Sequence, residues 1–118
     1  MPRAAPKKVP AAFFRSAATG AEPVREWLKS LDPADRKIIG ADIATVERGW
    51  PIGMPACRPL GGGGLWEVRS NIKNGITRVI FCIRDGKMVL LNGFVKKSQK
   101  APVAEIDLAL KRKREMER

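Results

Sequence analysis

Histidine is missing from this 118-residue chain, and with it every His-dependent triad, imidazole base and zinc–histidine site. Cysteine is scarce. Cys57 and Cys82 are too few for a disulfide framework or a thiolate zinc site, and they read as reduced thiols packed in a cytosolic fold. Acid is short as well, with 12 Asp and Glu against 23 Lys and Arg and a net charge of +11. A surplus of that size on a small body points to a polyanionic partner, either nucleic acid or an acidic protein. No run approaches the ~20 apolar residues of a membrane span, and no apolar segment follows the basic start as a secretory signal requires. A cytoplasmic location is the expectation. What remains is ordinary for a globular protein, 44% hydrophobic and 30% charged. The length suits one domain. The expected division is a flexible basic N-terminus over residues 1–10 and a single domain over 11–118.

Hydrophobic periodicity divides the domain. Ala11 to Arg15 is a short opening strand. Pro23 then starts a helix with Val24, Trp27, Leu28 and Leu31 on one stripe, and Asp32-Pro33 caps and starts a second helix with Ile39, Ile43 and Val46 facing in. Gly49 and Trp50-Pro51 end it. After a Pro- and Gly-rich passage the period changes to two. Trp66 and Val68 alternate with Glu67 and Arg69, and Arg78, Ile80 and Cys82 alternate with Val79, Phe81 and Ile83. Asn74-Gly75 and Asp85-Gly86 signal hairpin turns. Lys87 to Val95 is a central strand, and Pro102 opens a last helix whose inner face is Val103, Ile106, Ala109 and Leu110. The order β-α-α-β-β-β-α predicts an α+β fold, with an N-terminal strand and a helical hairpin packed on a curved antiparallel sheet and a C-terminal helix.

The charge is uneven. Residues 57–100 set nine bases against Glu67 and Asp85, a local excess of +7. Within that stretch Arg69 and Arg78 flank a tight turn and share one strand face, with Glu67 two residues away on the same face. Asn92 on the next strand joins them if the register allows, and Lys96-Lys97 with Lys100 follow at that strand's exit. Taken by residue type alone, Glu67 and Arg69 form a solvated surface pair, as most such pairs do. Taken together, the cations suit a phosphodiester, because arginine forks match phosphate oxygens and lysine supplies a point charge. Cleaving RNA by its own 2′-oxygen needs charge stabilisation and proton transfer, and neither metal nor cofactor. Gly61–Gly64 lacks the Lys-Ser/Thr of a P-loop and reads as a flexible loop. The basic run Lys111–Arg114 serves equally as a nucleic-acid patch or as favourable charge at a helix C-terminus. The three tryptophans read as core.

The motifs Leu65-Trp-Glu-Val-Arg69, Thr77-Arg-Val-Ile-Phe81, Val89-Leu-Leu-Asn-Gly-Phe-Val-Lys-Lys97 and Lys100-Ala-Pro102, with Pro23 to Leu31, together resemble the RelE/ParE toxin superfamily. Within it they resemble the HigB-like, often phage-derived branch. The resemblance runs over residues 11–115. It implies the toxin of a type II toxin–antitoxin system, a ribosome-dependent mRNA endoribonuclease neutralised by a cognate antitoxin of helix-turn-helix type with an acidic contact surface. By the same resemblance Arg69 and Arg78 take the places of phosphate-contacting arginines, and Lys96 and Lys97 those of the basic residues after the Gly-Phe segment. With Glu67 from the same strand face they are the expected catalytic set, and Asn92, Lys73 and Lys100 are the expected substrate-binding residues. The branch is expected to carry a histidine where this chain has Asn92. A neutral amide cannot shuttle a proton, so either another residue is the base or the activity is weak. Two alternatives stay open: a ParE-like gyrase inhibitor, and a catalytically inactive RNA- or antitoxin-binding phage remnant.

Overall fold

Proline sets the helix starts. In the computed structural model, which describes residues 6–96 and 103–117, Pro23 opens α1 (Pro23–Ser30) and Pro33 opens α2 (Pro33–Gly49). The Asp32 carboxylate caps α2 by accepting the N–H of Ala34 at 3.1 Å. The strands are β1 (Ala11–Phe13), β2 (Cys57–Pro59), β3 (Trp66–Ile72), β4 (Gly75–Arg84) and β5 (Lys87–Lys96), and α3 (Val103–Met116) closes the chain. They form one five-stranded sheet in the order β1-β5-β4-β3-β2. The fold is α+β with the expected elements and one addition, since β2 is too short for its alternation to be read. The sheet is mixed rather than wholly antiparallel. β1 runs parallel to β5, a pairing that the intervening helices and strands make possible as a crossover.

Both hairpins form. Asp85 and Gly86 have φ of +51° and +74°, the left-handed pair that a two-residue primed turn requires. The other turn sits one residue earlier than Asn74-Gly75 implies, because Ile72 pairs with Gly75 and leaves Lys73-Asn74 as the loop.

Each sheet face carries a core. On one side α1 and α2 bury Val24, Ile39, Ile43 and Val46 against Val68, Val79, Phe81 and Leu90. Trp50 stands edge-on to Trp66 at 4.9 Å, and Trp27 lies so close over Gly93 that a Cβ there would run into the indole. On the other side α3 packs Ala109, Ile106 and Leu110 against Leu65, Ile80, Val89 and Leu91. Val103, expected on that inner face, is 72% exposed instead, since the first residue of the helix stands clear of the second core. The cysteines are free and buried, Cys57 in the first core and Cys82 in the second.

One irregularity sets the faces of the last residues of β5. Ile80 pairs with Asn92 and Phe81 with Leu90, so Leu91 is an extra residue on β5. The bulge reverses the alternation: Leu91 and Asn92 both face α3, and Phe94 and Lys96 follow Asn92 onto that side.

The described part of the N-terminal lead-in is anchored to α2. Lys8 and Val9 donate their N–H groups to the Glu47 carbonyl at 2.7 and 3.1 Å, Ala11 donates to the Glu47 carboxylate at 2.7 Å, and Val9 is buried. Among the described residues no helix is long and apolar enough to cross a membrane.

Candidate functional site

Strand register assembles a cationic cluster on the α3 side of the sheet, toward the β2 edge. Arg69 pairs with Arg78, Glu67 with Ile80, and Arg58 of β2 with Glu67. On the far side of β4, Phe94 pairs with Arg78 and Lys96 with Ile76. Cross-strand partners point to the same face, so Arg58, Glu67, Arg69, Arg78 and Lys96 stand together. Four cations share this face with one carboxylate.

That carboxylate is not part of a solvated surface pair. Glu67 and Arg78 are each 1% exposed. One Glu67 oxygen accepts from Arg58 Nε at 2.5 Å, and the other lies 3.2 Å from Arg78 Nη1. The second contact is off the hydrogen-bond line, so it is Coulombic. Arg78 Nε and Nη1 and Glu67 Oε2 therefore find no hydrogen-bond partner among the described residues. A buried polar group left idle costs ~1–3 kcal/mol, so in native proteins such a group is met by water, an ion or a ligand. Arg69 stands apart from Glu67. It is exposed at the edge of β3 beyond the last residue paired with β2, and it makes no ion pair among the described residues.

The crowding of like charge shifts the titrations. Burial, foremost, holds the Arg78 guanidinium below its ordinary value; Glu67 opposes this, and Arg58 and Arg69 add to it. Lys96, half-buried, is pushed down by desolvation and then by Arg78, Arg69 and Arg58, with Glu67 opposing.

The other expected residues are more scattered. Asn92 lies on the same face, but its amide is engaged with α3, donating to the Glu105 carboxylate at 2.8 Å and the Glu105 carbonyl at 3.2 Å. Lys73 is in the exposed β3–β4 turn, where its backbone N–H donates to Asp35 at 3.3 Å. Lys97 and Lys100 lie outside the described residues. Arg58 went unnoticed in the sequence because β2 is only three residues long, and only its pairing with Glu67 exposes it. Nor does the sequence show Arg112, whose guanidinium donates to the Leu91 carbonyl at 2.7 Å and lies over the Phe14 ring, fastening α3 to the bulge.

Two cavities adjoin the cluster. The larger, about 450 Å³, lies between α2, the loop over residues 52–56 and the edge of β3; the smaller, about 120 Å³, reaches Arg58 and Glu67. Arg69, Met54 and Pro55 line both.

An exposed guanidinium, a buried one with idle N–H groups and a lysine of lowered pKa around a single acid are side chains of the kind that match phosphate oxygens. Residues 26–114, which hold all of the cluster, match the family described as phage derived protein Gp49-like (DUF891). No curated protein matches the chain. The family match spans most of the domain and agrees with its α+β fold, and the chain belongs to the phage-derived Gp49-like family, a RelE-like toxin family of toxin–antitoxin systems.

Proposed function

We propose that the chain is the toxin of a type II pair and an mRNA endoribonuclease of the HigB-like kind, acting on messages in the ribosome. The observation that carries this reading is the buried Arg78 beside the exposed Arg69, with unused N–H donors and a net cationic surround. The exposed Arg69 holds the scissile phosphate, and the buried Arg78 behind it adds positive charge against the charge that grows on its oxygens in the pentavalent transition state. Lys96, in its neutral form, takes the proton of the neighbouring 2′-hydroxyl. The 2′-oxygen attacks phosphorus, the bond to the 5′-oxygen breaks, and the products are a 2′,3′-cyclic phosphate and a 5′-hydroxyl, the leaving oxygen taking its proton from water. Glu67 keeps Arg58 and Arg78 in place. Lys97 and Lys100, which follow Lys96 in the sequence, add positive charge for the substrate, as does Lys73 in the β3–β4 turn. Asn92, held by Glu105, supports α3 rather than the proton transfer. A cognate antitoxin with an acidic surface masks the cluster.

Induced expression with mapping of mRNA 5′-ends tests this. Cuts inside translated frames are the expected result. Intact messages accompanied by DNA breaks would move the target to gyrase, and intact messages with intact DNA would leave a binding protein.

A further inference from the structure

The larger cavity shares only Arg69 with the phosphate cluster. We propose that it is a base subsite for the strand, selective for a guanine-type edge, in which Asp42 reads the base. The inference rests on the RNA-cleaving reading above and adds to it the nucleotide that the site chooses.

Continuity comes first. Arg69 lines both cavities and belongs to the phosphate cluster, so a strand whose phosphate lies on Arg69 has a neighbouring base at the mouth of the larger space. The volume of about 450 Å³ is within the range of small-ligand sites. One wall is apolar: Met54 is 75% exposed, the most exposed large hydrophobic side chain among the described residues, and Pro55 stands beside it. A polarisable thioether and a flat ring edge can cover the face of a base.

The opposite wall is built of acceptors. Asp42 is half-buried on α2 and makes no ion pair among the described residues, although the chain carries +11. Thr45 donates its hydroxyl back to the Ala41 carbonyl at 3.2 Å, which leaves its lone pairs as acceptors for anything in the cavity. Asn71, two residues beyond Arg69 on the edge of β3, completes the rim.

Chemistry then selects the base. A carboxylate only accepts, through two oxygens side by side. Guanine's Watson–Crick edge offers two adjacent donors, N1–H and the N2 amine, whereas adenine and cytosine offer one amine and uracil one imino N–H. Single-stranded RNA leaves that edge free to be read.

The test is the base composition around mapped mRNA cuts in cells expressing the full chain, normalised to total cutting. Wild type is expected to enrich guanosine at one fixed offset from the cut. Asp42→Asn replaces an acceptor with a donor that faces guanine's own donors, and it should lower the enrichment by roughly fivefold to a hundredfold, the worth of one bidentate base contact. Met54→Ala, at a position too exposed to affect folding, should lower it as well. Cuts without base bias, or a bias that both variants retain, would overturn the base subsite and leave the nuclease standing. Intact messages under wild-type expression would overturn both.

Discussion

Replacing Arg78 with methionine should stabilise the protein while abolishing its activity. The guanidinium is 1% exposed, and two of its nitrogens lack partners among the described residues. Its attraction to Glu67 at 3.2 Å comes to about 5 kcal/mol at an effective dielectric of ~20. Against this stand a desolvation penalty of several kcal/mol and the repulsion of Arg58, Arg69 and Lys96. The downward shift of the Arg78 pKa, with burial its largest cause, gives the sign of the balance: the charged form is worse off in the fold than in water. Arg78→Met fills similar space without the charge, and a gain on the order of 1 kcal/mol follows, or roughly 4 °C in Tm for a domain of this size. Glu67→Gln is the complement. In the wild-type background it strands a buried cation among three others and should cost about 3–5 kcal/mol. In the Arg78→Met background only Arg58, whose side chain is 41% exposed, loses a partner, and the cost should fall to about 1 kcal/mol or less. Urea and thermal unfolding of the four proteins of this cycle give the coupling directly. Should Arg78→Met lower Tm by several degrees, or should the two substitutions add without coupling, Arg78 is a structural residue and the site reasoning fails.

Other expectations follow from the same geometry. Arg69→Ala should reduce mRNA cleavage by on the order of 10²–10³, with Arg69→Lys rescuing poorly because a point charge cannot replace the fork; an unchanged Tm with wild-type cutting would reduce Arg69 to a surface side chain. Because Lys96 is pushed below the ordinary lysine value, its neutral fraction grows at lower pH than free lysine's. Cleavage should therefore rise with pH along a limb displaced below that range, and Lys96→Arg should flatten the limb in a pH–rate profile. Antitoxin affinity should drop steeply with added salt, as the proposed masking of the cluster by an acidic surface requires; equal affinity at low and high salt would rule out charge masking. Gly93→Ala drives a methyl into the Trp27 ring and should cost about 1–3 kcal/mol by denaturant unfolding.

The local structure was legible in the sequence because short-range rules produce it. Pro23, Asp32-Pro33 and Asp85-Gly86 act within a few residues of themselves, and the 3.6 and 2 periods name the faces that must be buried whatever buries them. The cross-strand meeting of Arg69 and Arg78 was readable for the same reason, being counted outward from one tight turn. The composition, with no histidine and a surplus of base, already excluded imidazole chemistry and pointed to a polyanionic partner. Tertiary structure decided what depends on distant chain. The bulge at Leu91 turns Phe94 and Lys96 onto the arginine face, and a plain alternation cannot show an extra residue. Arg58 enters the site only through a three-residue strand held by its partner. Glu67 reads as a surface acid on its own strand, yet Arg58 and Arg78 from both neighbouring strands close over it, and burial is a property of that assembly rather than of the residue.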